Sequence, residues 1–160
     1  MGNKQSITVQ SVHEIRAYSF TGVLSVLGSR VFKNLSKFEE TRVLAEKGVA
    51  AAQHNLGVMY ADGEGVPQNF REAVKWYRKA AEQGDEQGQY NLGVMYHLGH
   101  GVLKNDVTTI TWWTIAAANG HEIANENKGV VTKDMTPDQI DEAEELFLEM
   151  IKKNPKLLNK

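Results

Sequence analysis

Apolar residues recur at every third or fourth position along much of the chain, a spacing that predicts amphipathic α-helices. In residues 51–61 the apolar stripe is formed by Ala52, Leu56 and Tyr60. The turn DGEG at 62–65 ends this segment, because glycine readily adopts the positive φ at which helices stop. A second amphipathic segment follows the turn. The pattern therefore predicts two helices joined by a tight turn.

The second helix is predicted to begin after Asn69, whose side chain can cap the first free backbone N–H groups. Glu72, three residues later, completes an arrangement like a capping box, and Gly84 ends the helix. The apolar positions of this helix lie on one stripe and on the positions beside it: Phe70, Val74, Tyr77 and Ala81, with Ala73, Trp76 and Ala80.

The helix pair occurs twice, because NLGVMY begins at Asn55 and again at Asn91, 36 positions later. A fixed period of this length is typical of helical repeats that stack into a solenoid. Leucine and tyrosine of the motif are expected to fill the core, and its glycine to let two helices approach closely. The repeated positions, expected to be structural, are Leu56, Gly57, Tyr60, Gly63, Gly65, Trp76, Ala80, Ala81 and Gly84, then Leu92, Gly93, Tyr96, Gly99, Gly101, Trp112, Ala116, Ala117 and Gly120.

The pattern A…NLGVMYADGEGV…N…A..WY.KAAEQG resembles the Sel-one-like repeat (SLR) family, a branch of the tetratricopeptide-type helical repeats, and in particular its bacterial members. The resemblance covers about residues 50–124. It implies an all-α fold, a right-handed α-solenoid of helix–turn–helix units, and a role as a non-catalytic protein–protein interaction adaptor or scaffold. The segment GHEIANENKGVVTKDMTPDQIDEAEEL is similar to the closing segment of many bacterial members.

The chain is expected to consist of a solenoid with a poorly defined segment before it. A capping box from Ser36 to Glu39 predicts a helix that starts at Ser36. Residues before it do not align with a first repeat helix, which leaves open a degenerate paralogue with a replaced N-terminal segment. The expected parts are residues 1–35 as the undefined segment, 36–48 as a degenerate capping helix, 51–84 and 87–120 as the two units, 121–153 as a cap, and 154–160 as a tail.

Charged positions of the first unit become uncharged in the second, which predicts that another helix covers the second unit. Arg71, Lys75, Lys79 and Glu82 are replaced by Val107, Thr111, Ile115 and Ala118. The expected cover is a helix after the capping box that begins at Thr136, preceded by a short helix at about 121–130. Its apolar stripe is Ile140, Ala143, Phe147 and Ile151.

Composition excludes several classes of function. The formal net charge of −2 gives no basic field for nucleic acid, and no apolar run is long enough for a membrane-spanning helix. Cysteine is absent, which removes disulfides, thiolate nucleophiles and zinc–cysteine sites. A cytoplasmic location is favoured. Residues 17–28 leave a signal peptide and secretion or a periplasmic location open, and Gly2 with Ser6 fits a loose N-myristoylation pattern.

No catalytic constellation is evident. His97, His100 and His121 follow helices with no fixed-spacing third ligand, so they are interpreted as loop histidines and no metal or cofactor is expected. The repeated Gly-x-Gly follows a helix rather than a strand, which argues against a dinucleotide site. The alternative function is β-lactam hydrolysis, which the family resemblance implies for a cysteine-rich subgroup; this chain lacks those cysteines and an SxxK motif.

One surface lacks a structural explanation in the sequence. On the first helix of each unit, three residues lie away from the predicted core stripe. In tetratricopeptide-like stacks the first helices line a concave groove, and valine is unusual on bare surface. The candidate protein-binding residues are His54, Val58, Ala61, Tyr90, Val94 and His97; scattered surface residues of no consequence are the alternative.

Overall fold

The structure, a computed structural model, describes residues 25–159. The chain divides into two compact units, residues 1–33 and residues 34–160, and the repeats lie in the second. The described part of the first unit, residues 25–33, is helical. The N-myristoylation pattern at Gly2, residues 17–24 of the possible signal peptide and residues 1–24 of the undefined segment predicted at 1–35 lie outside the described residues.

Residues 25–159 form seven α-helices and no β-strand. The helices are α1 Ser25–Glu46, α2 Ala50–Asp62, α3 Phe70–Ala81, α4 Glu86–Leu98, α5 Asp106–Ala118, α6 Glu122–Val131 and α7 Pro137–Lys153. Short 3₁₀ turns at Thr132–Asp134 and Pro155–Leu157 follow α6 and α7. From α2 to α6 each helix packs on the next, and α7 packs on α5. The predicted all-α helical solenoid is confirmed.

The turn within each repeat is built in the same way twice. Gly63 and Gly99 have φ angles of 73° and 70°, in the left-handed region, and end α2 and α4. The side chains of Asn69 and Asn105 then accept hydrogen bonds from backbone N–H groups in the first turn of α3 and α5. These local preferences, which the sequence carries at both positions, fix where each helix stops and the next begins.

The predicted role of Glu72 in a capping box is wrong. The backbone N–H of Asn69, which such a box would assign to Glu72, donates instead to the Tyr60 carbonyl at 2.8 Å. Glu72 forms an ion pair with Lys75 on the same helix. A bond across the turn therefore replaces the local one, because the returning chain brings the Tyr60 carbonyl within reach.

The glycine of the repeated motif lies where two helices touch. A Cβ on Gly57 would stand 2.6 Å from the ring of Tyr77, and a Cβ on Gly93 would stand 2.5 Å from the ring of Trp113. Carbon atoms do not pack that closely. The expectation that glycine permits a close approach is confirmed, and the approaching group is an aromatic ring in both units.

The core runs through the stack as three clusters. Leu56 and Leu92 are fully buried, and Leu56 packs with Phe38 and Ala45 of α1. Aromatic residues of the second helices are buried at Tyr77, Trp112 and Trp113. Trp76 is only half-buried, and the Nζ atom of Lys79 lies 4.0 Å above its ring. The predicted core role is confirmed for Tyr77 and Trp112, whereas Trp76 packs against the core from a half-buried position.

The first helix begins earlier than the sequence predicted. Helix α1 starts at Ser25 and runs through Ser36 to Glu46, so the motif at Ser36 does not start a helix. A capping motif expresses only a local preference, and the segment before it contains no proline that would prevent the helix from continuing. The predicted start at Ser36 is wrong.

Helix α7 covers α5, as the exchange of charged residues indicated. Thr111 and Ile115 of α5 are fully buried, and the hydroxyl of Thr111 donates to the Ala143 carbonyl of α7 at 3.3 Å. The capping box at Thr136 is present, with both reciprocal bonds to Gln139. Helix α7 therefore gives the second unit the apolar partner that its sequence requires.

Residues 154–159, which we call the return segment, lie against the repeats. Leu157 is 2% exposed and belongs to the largest core cluster. Its carbonyl accepts hydrogen bonds from Gln89 Nε2 at 2.8 Å and Asn119 Nδ2 at 2.7 Å. A Cβ on Gly84 would stand only 2.6 Å from the Lys156 carbonyl oxygen. The expected tail is thus an integral part of the packed structure.

A candidate protein-binding face on the first helices

The first helices of consecutive repeats are joined side by side by matching hydrogen bonds. Asn91 Nδ2 lies 2.9 Å from His54 Nε2, which joins α4 to α2. Asn127 Nδ2 donates to the Tyr90 hydroxyl at 3.0 Å, which joins α6 to α4. Tyr90 occupies the repeat position of His54, and Asn127 that of Asn91. Helix α6 therefore continues the row of first helices as a third member.

The three ring-bearing candidate residues are held between helices. His54 is half-buried, with its ring 5.8 Å from that of Tyr77. Tyr90 is half-buried and stacks on His121 at 4.3 Å. His97 Nδ1 lies 2.8 Å from a carboxylate oxygen of Asp106. These half-buried side chains therefore take part in packing between helices.

The three aliphatic candidate residues are half-buried rather than exposed. Val58 and Ala61 pack against the cluster of α3 to α5, and Val94 packs against the cluster of α5 to α7. Their presence follows from these contacts, so valine on this side of the helix needs no ligand to explain it. That the six residues form the wall of a concave groove and bind a partner stays a prediction.

The open part of this surface lies beside the six candidates. Asn55 is exposed at the centre of the free side of α2. Leu98 on α4 is 53% exposed, and on α6 Ile123 is 54% and Val130 61% exposed. We define the first-helix face by these four residues together with the repeat-equivalent positions Val58, Asn91, Val94 and Asn127.

The sequence contained a signal for α6 that the interpretation of 121–153 as a cap concealed. Asparagine recurs at 55, 91 and 127, and valine at 58, 94 and 130, with the same period of 36. Aligning the repeat beyond Gly120 would have revealed the third row. Two matching positions in a helix of ten residues are weak evidence for a third repeat helix. The structure supports that interpretation because it places α6 beside α4.

The remaining histidines have structural roles. His121, interpreted as a loop histidine, is 8% exposed and caps α6, since its Nδ1 accepts a hydrogen bond from the Ala124 backbone N–H at 3.2 Å. His100 stacks on Phe70 with ring centroids 4.5 Å apart. Between residues 25 and 159, no three histidine or acidic side chains come together as a metal site would require.

Tyr77 is the most strongly perturbed titratable group next to this face. Burial raises the pKa of its hydroxyl, and the negative charge of Asp62 raises it further. The ring is 3% exposed and supports both Gly57 and His54. A neutral, buried tyrosine in this place stiffens the helix pair on which the face rests.

None of the helices between residues 25 and 159 combines the length and apolar character needed to span a bilayer. The structure is a stack of paired helices. The first helices of the pairs lie side by side in a row and carry the first-helix face. This is the architecture of a helical-repeat protein.

Comparison with known proteins identifies the class of repeat. The family model described as Sel1 repeat matches residues 50–85 and 87–121. The crystal structure of the Sel1 repeat protein from Oxalobacter formigenes is 40% identical, with a TM-score of 0.55, over 56% of this chain and 67% of that chain. The chain belongs to the Sel1 repeat family. No curated protein matches it.

A second solved structure matches almost all of the chain. It is c5321, described as a protective antigen present in uropathogenic Escherichia coli strains displaying an SLR fold. The identity is 31% and the TM-score 0.75, over 94% of this chain and 30% of that chain. The chain thus spans less than a third of the length of that larger protein.

Proposed function

We propose that the chain is a non-catalytic protein-interaction module that binds a peptide or protein partner along the first-helix face. The observation that carries the proposal is the row of exposed apolar side chains on that face. Leu98, Ile123 and Val130 are each more than half exposed. Large apolar groups so placed on adjoining helices are typical of surfaces that bind other proteins.

The polar groups of the same face suit an extended or helical partner. Asn55 is exposed, and the amides of Asn91 and Asn127 use an Nδ2 donor within the stack, which leaves their carbonyl oxygens as acceptors. Amide side chains repeated at a fixed interval can hydrogen-bond a partner backbone. Val58, Val94 and Val130 lie beside them and would supply apolar contact, so affinity would come from shape and a few anchors.

Rigidity also supports binding by this face. Hydrogen bonds between His54 and Asn91 and between Tyr90 and Asn127 join the first helices. The close contact of Gly57 with the Tyr77 ring packs α3 against α2. A preformed surface loses little entropy on binding. Substituting Tyr90 or His97 would damage these internal contacts, so the exposed residues give the cleaner test.

The experiment is affinity capture from native extract with three immobilised proteins. The first is wild type, and the second carries Leu98→Asp, Ile123→Asp and Val130→Asp on the face. The control carries Leu103→Asp and Leu148→Asp, which change leucines elsewhere that are more exposed than the face residues, at 89% and 64% exposure. We expect the face variant to lose a specific partner by on the order of tenfold or more while the control keeps it. Equal capture by all three proteins would contradict the proposal.

A further inference from the structure

One side of each second helix faces away from the repeat core, and in the second unit this side is a helix-docking surface. On α5 it is formed by Val107, Thr111 and Ile115, all buried. Helix α7 lies on them, with its Ala143 carbonyl bound by Thr111. The chain therefore contains an example of how a helix docks on this side of a repeat.

Helix α3 of the first unit has charged residues on the same side. Arg71, Lys75 and Lys79 occupy the repeat positions of Val107, Thr111 and Ile115, and Glu82 follows them at the end of the helix. We call these three cations the basic stripe. All four side chains are exposed. At the end of this side, Asn154 Nδ2 of the return segment donates a hydrogen bond to the Glu82 backbone carbonyl at 2.8 Å, which leaves the Glu82 carboxylate exposed. Lys75 pairs with Glu72 of its own helix, and an exposed pair of this kind contributes little to stability.

The exposed side of α7 carries the opposite charge. Helix α7 carries five exposed carboxylates, which we call the acidic face: Asp138, Asp141, Glu142, Glu145 and Glu149. Of these, Glu149 forms an ion pair with Lys153. The helix ends in Lys152 and Lys153, so its charges run from acidic to basic along the chain.

We propose that the basic stripe of α3 docks the acidic face of α7 from a second copy of this chain, with the two helices parallel. In that orientation the cations of α3 meet the carboxylates of α7, and Glu82 meets Lys152 and Lys153. The lengths agree for the charges that would face each other: Arg71 to Glu82 on α3 and Asp141 to Lys152 on α7 are both 11 residues apart, about 16 Å at 1.5 Å per residue. Charge order as well as charge sign is therefore complementary.

The two docking surfaces are different parts of the chain, so the contact is heterologous and propagates head to tail. One helix face on each side is a small interface, and the association is weak, with a dissociation constant of about 0.1–1 mM. Such an assembly would place several first-helix faces in a row and strengthen binding to a multivalent partner. The inference stands independently of the proposed function.

A segment of the same chain fits the stripe less well. Residues 1–24, outside the described part, carry Lys4 and Arg16 against a single carboxylate at Glu14. A stretch with an excess of cations does not complement a basic stripe. The acidic face of α7 is the matching charge within the described residues.

The test is sedimentation equilibrium of the full chain at protein concentrations up to about 1 mM, the range of weak contacts. We expect the average mass to rise with concentration at about 0.1 M salt and to fall toward the monomer at about 1 M, because the screening length drops from about 10 Å to about 3 Å. A mass that stays monomeric at low salt would overturn the proposal.

Charge exchange tests the identity of the two surfaces. One variant carries Lys75→Glu and Lys79→Glu, and another carries Glu142→Lys and Glu145→Lys. Each alone is expected to associate on the order of tenfold more weakly, and the equimolar mixture to associate as wild type does. Circular dichroism establishes that each variant is folded, so that loss of association reports the surface.

The control is Lys47→Glu with Lys133→Glu, which makes the same change in net charge as the Lys75 and Lys79 variant, at two exposed lysines outside both surfaces. This variant is expected to associate as wild type does. Association that survives in the Glu142 and Glu145 variant, or that falls equally in the control, would overturn the assignment of α7 as the docked element.

Discussion

Asn127 donates a hydrogen bond to the hydroxyl of Tyr90 across 3.0 Å, and so attaches α6 to the row of repeat helices. The equivalent position on α2, Asn55, has the same side chain in an exposed place. One repeat position therefore serves packing in one helix and faces solvent in another. This difference allows a matched test of what the internal bond contributes.

Replacing Asn127 by alanine is expected to lower the free energy of unfolding by about 1 kcal/mol, because the Tyr90 hydroxyl loses a half-buried partner. Asn55→Ala removes the same amide group from an exposed site and should change the free energy of unfolding by less than about 0.5 kcal/mol. Urea denaturation of both variants measures the difference. Equal values for the two would mean that the Asn127–Tyr90 bond does not stabilise the stack.

Gly93→Ala should destabilise the protein by about 1–3 kcal/mol, because its methyl group would overlap the Trp113 ring and force it to move. Gly129 in α6 has nothing within 4 Å of where its Cβ would stand. There, alanine should raise the unfolding free energy by about 0.5–1 kcal/mol through its better helix propensity. Thermal or urea unfolding measures both, and a change of the same sign at the two sites would contradict the close-packing argument.

Leu157→Ala should lower the unfolding free energy by about 2–4 kcal/mol, since it removes a buried side chain from the main core cluster. The neighbouring Lys156→Ala changes an exposed side chain and should have an effect within about 0.5 kcal/mol. Denaturant unfolding compares the two. A small effect at Leu157 would mean that the return segment does not stabilise the repeats as its contacts indicate.

Tyr77→Phe should reduce the loss of stability in alkaline solution. Burial raises the pKa of Tyr77 in the folded protein, whereas the unfolded chain releases this proton near pH 10. The stability that the neutral hydroxyl contributes is therefore complete below about pH 10 and declines above it. At about pH 11 the variant should retain about 1 kcal/mol more of its neutral-pH stability than wild type. Unfolding curves that decline in parallel would contradict this.

The repeats could be predicted because their determinants are local. Gly63 ends a helix and Asn69 starts one, and both of these preferences act within a few residues along the chain. Gly57, in the repeated motif, allows the ring of Tyr77 on the next helix to approach. The period then places Gly99, Asn105 and Gly93 in the same roles, so two independent copies supported each interpretation. Local chemistry repeated at a fixed interval is the strongest information that this sequence contains.

What could not be predicted depends on contacts distant in sequence. The carbonyl of Leu157 meets Gln89 and Asn119 only after the chain has turned back across α7. The partial burial of Val58 likewise depends on how the next repeat packs against α2. For this reason the sequence placed the candidate residues on the first helices without showing which side chains of those helices are exposed, such as Ile123.

The most direct test of the proposed binding face is site-specific photo-crosslinking in native extract. A photoreactive amino acid is placed at Val130 on the first-helix face or at Leu148 on α7, sites that are 61% and 64% exposed. The proposal predicts a discrete crosslinked partner from position 130, competed by excess wild-type protein, and none from position 148. A partner crosslinked from 148 alone, or equal yields from both positions, would contradict it.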